Sequence, residues 1–142
     1  MATIKVRNSE GYKSEIYSKS HMFFSDEPED QGGTNEGADP YELLLSALGS
    51  CKAVTMRMYA QRKDYPLNDI EIDLSNKKIH AEDCRDCETK DGKVDIIDVS
   101  IKFTGDLSEE QISRLLEISK KCPVHKTLLS EIKINTNKEP AL

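Results

Sequence analysis

Four cysteines and one histidine carry most of the chemistry this sequence offers, in three settings. Cys51 closes the stretch DPYELLLSALGSC, inside a run that is almost wholly apolar. Cys122 stands directly before Pro123 in KKCPVHKTL. Cys84 and Cys87 form a C-x-x-C in HAEDCRDCET, with His80 four residues ahead of the first thiol. A cysteine in an apolar helix is either a small core residue or a thiol nucleophile, and composition alone leaves both readings open for Cys51. Cys122 is placed where Pro123 starts a helix, so backbone N–H groups and the helix dipole favour a thiolate. Lys120, Lys121, His125 and Lys126 add positive charge nearby. The other reading of Cys122 is a plain capping break between two helices.

The C-x-x-C has the opposite surroundings. Glu82, Asp83, Asp86 and Glu88 oppose ionisation of its thiols and only Arg85 helps, which speaks against a fast redox pair. Two thiolates, His80 and a carboxylate would supply the S, N and O ligands that zinc accepts, and the metal charge would reverse the local cost of anions. Three readings therefore fit Cys84 and Cys87: ligands of a structural zinc with His80, members of an inert polar turn, or a reversible disulfide.

The elements that position these groups follow from patterning. Short β-like runs occur at Ile4 and Val6, at Tyr12 to Tyr17 and at Met22 to Phe24, and the break at Ser9 to Gly11 predicts a hairpin. Residues 26–40, rich in acid, Gly and Pro, form a loop. Asp39 caps the next helix, Pro40 takes its first position, and Glu42 completes a capping box. That helix runs from about Pro40 to about Arg62, stopped by Tyr65 and Pro66. Between Leu43 and Met58 its only formal charges are Lys52 and Arg57, which implies burial on most sides. Ile70, Ile72 and Leu74 alternate with acids as in a half-buried strand. Val94 to Phe103 gives another, with a slip at Ile96 and Ile97 that reads as a bulge. Ser108 and Gln111 cap a further helix, a short helix starts at Pro123, and a last strand is expected around Ile132 and Ile134. The order predicts an α+β fold with a β-rich N-terminus, a long buried central helix, further strands and a C-terminal helix pair.

Size and charge narrow the function classes. The 142 residues fit one domain, 1–142, and the net charge of −6 argues against a nucleic-acid partner. The N-terminal segment lacks the apolar run of a signal peptide and no window reaches the length of a membrane span, so a cytosolic protein with no membrane partner is expected. No phosphate-binding glycine pattern follows a strand, and Ser46 and Ser50 lack the strand-to-helix elbow of a hydrolase.

The capped helix PYELLLSALGSC followed by KKCPVHKTL resembles the OsmC and organic-hydroperoxide-resistance family, in order and spacing over most of the chain. SDEPEDQGG and HAEDCRDCET look like a divergent branch of it. The resemblance implies an intertwined homodimer whose thiol sites are made by both chains. It also implies a reaction: Cys51 attacks an organic hydroperoxide and becomes a sulfenic acid, Cys122 resolves it as a disulfide, and an external dithiol such as dihydrolipoamide reduces that disulfide. No cofactor is required for this chemistry.

The sequence departs from the family's peroxidases at one position in particular. They carry a glutamate directly after the helix-start proline, paired with an arginine from the N-terminal part that activates the thiol. Here Tyr41 holds that place, Glu42 is one further on, and there is no arginine between Arg7 and Arg57. Nine residues before Cys51, Glu42 is half a turn round and roughly 13 Å along the helix from it. His21 lies where a replacement for the arginine would be sought. Without a neighbouring cation, Cys51 is expected to have a raised pKa and to react slowly. The alternative function is a non-enzymatic dimeric module that binds a metal or an apolar ligand.

Overall fold

The computed structural model describes residues 1–140. The chain gathers into two compact units, Met1–Ala47 and Leu48–Leu142. In the first unit, β1 (Lys5–Arg7), β2 (Ser14–Tyr17) and β3 (Met22–Ser25) form an antiparallel sheet in that order. Ile16 is its buried apolar residue. The acidic loop that follows is more ordered than its composition suggests. Asp26 is buried and accepts hydrogen bonds from the Glu27 and Glu36 N–H groups and from the Thr34 hydroxyl and N–H. The Thr34 hydroxyl is the largest influence holding the Asp26 pKa down, to about 2. Gly33 lies against the Glu27 carbonyl and Gly37 against the Phe24 carbonyl, closer than any side chain would allow. These glycines let the loop fold on its own backbone.

Helix α1 spans Pro40–Arg62, as its signals predicted. The Glu42 N–H donates to Asp39 Oδ1 at 2.8 Å, and the Asp39 N–H donates to Glu42 Oε1 at 3.0 Å. Its end is set by Asp64 at φ 55° and by the Tyr65 N–H donating to the Ala60 carbonyl. The expectation of burial on most sides is corrected. Leu48, Gly49, Lys52, Met56, Tyr59 and Ala60 are buried, whereas Val54 and Met58 stay 57% and 63% exposed. An apolar sequence all round a helix creates two sticky faces, and the second unit covers one of them.

That covered face packs on α2 (Glu109–Ser119) and on the long ribbon of β4 (Leu67–His80) with β5 (Lys93–Gly105). Met56, Tyr59, Ala60, Leu115 and Ile118 form the core, flanked by Ile70, Ile72, Ile101 and Phe103. Gly49 lets α1 approach the ribbon, because a Cβ there would sit 2.8 Å from Leu74 Cδ1. Ser108 caps α2 through the reciprocal bonds with Gln111 that the capping box requires. Helix α3 covers Pro123–Leu128.

Two expected details differ. The ladder is regular through Ile96 and Ile97, which face Lys77 and Asn76, and the register shift lies at Leu67/Ile70 instead. Ile96 and Ile97 are both half-buried, because successive residues of a strand point to opposite faces and each finds some cover without an inserted residue. The strand expected at Ile132 and Ile134 is not formed. Residues 131–140 have no regular structure, and Ile134 is 84% exposed. Alternation alone does not make a strand; its backbone groups need a neighbouring edge. Among the described residues, no helix is long and apolar enough to cross a membrane.

Candidate functional site: a dithiol beside a buried lysine

Cys51 and Cys122 reach each other from different elements. Cys51 lies on α1, three turns past its capped start, and is half-buried. Cys122 is fully buried at the break between α2 and α3. It is the N-cap of α3, and its Sγ accepts the His125 N–H at 3.2 Å. Both thiols are free, and Cys51 lies near enough to act on the ionisation of Cys122. The break the sequence shows at Cys122 is a helix cap made by the thiol itself.

The electrostatics of Cys122 run against the sequence expectation. Burial pushes its pKa up more than the His125 N–H and Lys52 pull it down, and Cys51 pushes the same way as burial. A charge on Cys51 thus makes Cys122 hold its proton. This arrangement suits a nucleophile paired with a thiol that waits to resolve it.

The cation that the sequence reading did not find is Lys52. Next to Cys51 in the chain, it is only 2% exposed. Its Nζ donates to the Ser119 carbonyl at 2.8 Å and meets His125 Nδ1 at 2.9 Å. A lysine ammonium has no acceptor, so Nδ1 receives the bond and a neutral His125 carries its proton on Nε2. Burial lowers the Lys52 pKa, while the negative charges of Cys122 and Cys51 raise it. His125 is pushed down by burial first and then by Lys52 and Lys120. One signal for Lys52 is present in the sequence, a lysine directly after the candidate nucleophile in a stretch whose only other formal charge is Arg57. It was read as evidence of burial only, and burial is what gives its charge reach.

The other candidates have contacts of their own. Arg57 donates to the Leu67 and Asn68 carbonyls, which ties α1 to the start of β4. Arg7 lies in β1, and His21 lies just before β3, where its N–H binds Ser18 Oγ; both belong to the N-terminal unit. Cys84 and Cys87 are joined as a disulfide with a Cα separation of 5.6 Å. Of the three readings the sequence leaves open for this pair, the structure has the disulfide. No group of three His, Cys, Asp or Glu side chains is gathered as a metal site among the described residues. His80 is exposed at the end of β4, paired with Lys93. At about 3.3 Å per residue the ribbon end lies roughly 20 Å beyond Leu74, the residue packed on α1 beside Gly49. The two cysteine pairs of one chain are separate.

The family model described as OsmC-like protein matches residues 33–137, which takes in both helix cysteines and the ribbon. The chain belongs to the OsmC-like family. A relative from Mycoplasma pneumoniae named hydroperoxide reductase is 28% identical over 109 residues, covering 73% of this chain and 72% of the relative. The crystal structure of an OsmC-like protein from Mycoplasma pneumoniae superposes with a TM-score of 0.72 at 25% identity, over 96% of this chain and 94% of that one. The organic hydroperoxide resistance protein OhrB of Bacillus subtilis gives a TM-score of 0.61 at 19% identity, over 91% of this chain and 90% of that one. The fold is thus the mixed α and β architecture of this OsmC-like family.

Proposed function

We propose that this protein reduces organic hydroperoxides through Cys51 and Cys122, working as a homodimer. The observation that carries the reading is that two free thiols, one half-buried and one fully buried, lie near enough for one to act on the other's ionisation. In the proposed reaction the Cys51 thiolate attacks the outer peroxide oxygen. The O–O bond breaks, the alkoxide leaves as an alcohol with a proton, and Cys51 becomes a sulfenic acid. Cys122 sulfur then attacks Cys51 sulfur, an S–S bond forms, and water departs with the sulfenic oxygen. An external dithiol restores both thiols by two exchange steps and leaves as its own disulfide.

The name of the Mycoplasma relative supports the substrate class. The second copy is supported by α1 itself. Cys51, Val54 and Met58 follow one another at spacings of three and four, a single helix stripe, with Val54 and Met58 exposed. Covering that stripe would bury apolar surface and shield Cys51 from water. Light scattering checks it: a homodimer is expected, and a monomer at micromolar concentration would remove the partner from the proposal. Stopped-flow consumption of cumene hydroperoxide checks the chemistry. Cys51→Ser is expected to abolish turnover, and consumption by Cys51→Ser as fast as wild type would sink the reading.

A further inference from the structure

Among the described residues, the Lys52 ammonium has no carboxylate partner. Among the described residues its ammonium makes hydrogen bonds only to the Ser119 carbonyl and to His125, both neutral acceptors, although the residue is 2% exposed. A buried charge is ordinarily matched by an opposite one. The groups that act electrostatically on Lys52 are Cys122, Cys51 and Lys120, besides the His125 that it bonds. Lys120 carries the same sign, and His125 is either neutral or positive. Lys52 follows Cys51 in the chain, and the His125 that it bonds donates its N–H to Cys122 Sγ, so among the described residues a cysteine thiolate is the negative charge within its reach.

We infer that Lys52 is the counter-ion of one thiolate shared by Cys51 and Cys122, so that the reduced couple is charge-matched and the disulfide leaves a buried ammonium unmatched. This rests on the reading that the two cysteines form a disulfide on oxidation. Lys52 is then a positioning residue with two effects. It promotes ionisation of the reduced couple, taking the place that an arginine fills in the family's peroxidases. It also favours re-reduction, because stabilising the reduced form makes a disulfide a better oxidant. In that step a thiolate of the reductant dithiol attacks one sulfur, the Cys51 to Cys122 bond breaks, and the other sulfur leaves as the thiolate paired with Lys52. The second reductant thiol, deprotonated, then displaces the first cysteine from the mixed disulfide. That cysteine takes up a proton, and the reductant departs as a cyclic disulfide.

The test needs no peroxide. Iodoacetamide alkylation of Cys51 is followed by mass spectrometry against pH in wild type, Lys52→Met, Lys52→Gln and Lys52→Arg, with folding checked by circular dichroism. Gln keeps a donor for Ser119 and His125 and removes only the charge. Lys52→Met and Lys52→Gln are expected to slow alkylation at pH 7 at least tenfold and move its midpoint upward, while Lys52→Arg retains most of the rate. Equilibration of the variants in a dithiothreitol buffer is expected to shift the couple at least fivefold toward disulfide. In wild type, reduction near pH 7 should take up one proton per couple. Unchanged alkylation in folded Lys52→Gln, or uptake of two protons by wild type, would overturn the inference and leave Lys52 as a hydrogen-bond donor only. If diamide makes no Cys51 to Cys122 disulfide, the peroxidase reading fails, and the alkylation profiles still decide the role of Lys52.

Discussion

Cys51 and Cys122 stand on elements far apart in the chain and meet beside a buried lysine. Cys84 and Cys87 stand three residues apart at the end of a two-stranded ribbon, ringed by Glu82, Asp83, Asp86 and Glu88. The first pair is a product of tertiary packing, the second of local sequence. The first pair is free, has a cation within electrostatic reach, and has Cys122 protected from solvent. The second is already bonded and surrounded by charge that disfavours a thiolate. The thiols left free for the proposed chemistry are those that α1, α2 and α3 bring together beside Lys52.

The sharpest way to break this comparison is by activity. Cys51→Ser is expected to lower hydroperoxide consumption by a factor on the order of 1,000, since the nucleophile is lost. The double change Cys84→Ser with Cys87→Ser is expected to leave the rate within about twofold. If the ribbon double variant lost as much activity as Cys51→Ser, the division of labour between the pairs would be wrong. Consumption assays under equal dithiol concentration decide it.

The next largest effect is on packing. Leu115 is fully buried in α2, against Met56 and Tyr59 of α1, in the core that brings the α2 end and Cys122 to Cys51. Leu115→Ala should cost about 2–5 kcal/mol in urea unfolding through the cavity it leaves. It should also slow Cys51-dependent turnover, because the dithiol depends on how α1 and α2 pack. Half-buried Val94, near the far end of the ribbon, should cost about 1 kcal/mol or less when cut to Ala and leave turnover unchanged. The contrast fails if both substitutions affect activity equally.

The helix framework was legible in the sequence because it is written locally. Asp39 with Glu42 and Ser108 with Gln111 are capping boxes whose partners stand three residues apart, and both are formed. Alternation at Ile70, Ile72 and Leu74 likewise marked β4. The environment of the dithiol was not legible. Lys52 gains its role from where α2 ends and α3 begins, and the Ser119 carbonyl and His125 ring that hold it come from about seventy residues away. The same limit explains Ile132 and Ile134, whose alternation predicted a strand that has no neighbouring edge. Local rules left a metal set with His80, an inert turn and a disulfide all open for Cys84 and Cys87, and in this structure the two sulfurs are bonded.

A smaller effect is expected from reducing the ribbon disulfide. The sequence separation of Cys84 and Cys87 is three, so the bond closes a loop of only four residues. Chain-entropy reasoning limits its contribution to about 2 kcal/mol. Backbone bonds already hold the turn, with the Ala81 N–H donating to the Gly92 carbonyl and the Cys84 N–H to the Ala81 carbonyl. In a Cys51→Ser, Cys122→Ser background, dithiothreitol should therefore lower Tm by only a few degrees. Cooperative unfolding of the whole chain on reduction would show that the ribbon end supports the fold, against the reading of it as a peripheral link.

The smallest effect comes from pH and concerns the dithiol site alone. Burial, Lys52 and Lys120 together push the His125 pKa below its ordinary value of 6.5. The folded site therefore favours neutral His125, whereas the unfolded chain protonates it freely once the pH drops below 6.5. The stabilisation that neutral His125 represents is present in full above pH 6.5. It is lost as pH falls toward and through the folded pKa, since a second cation then faces the Lys52 ammonium. Wild type should accordingly lose Tm between pH 7.5 and 5.5. In His125→Gln, which keeps a polar partner for Lys52 without a titrating group, that slope should be shallower by a few degrees. Equal slopes in both proteins would mean that His125 does not face Lys52 as a neutral acceptor, and the hydrogen bond at Nδ1 would have to be reassigned.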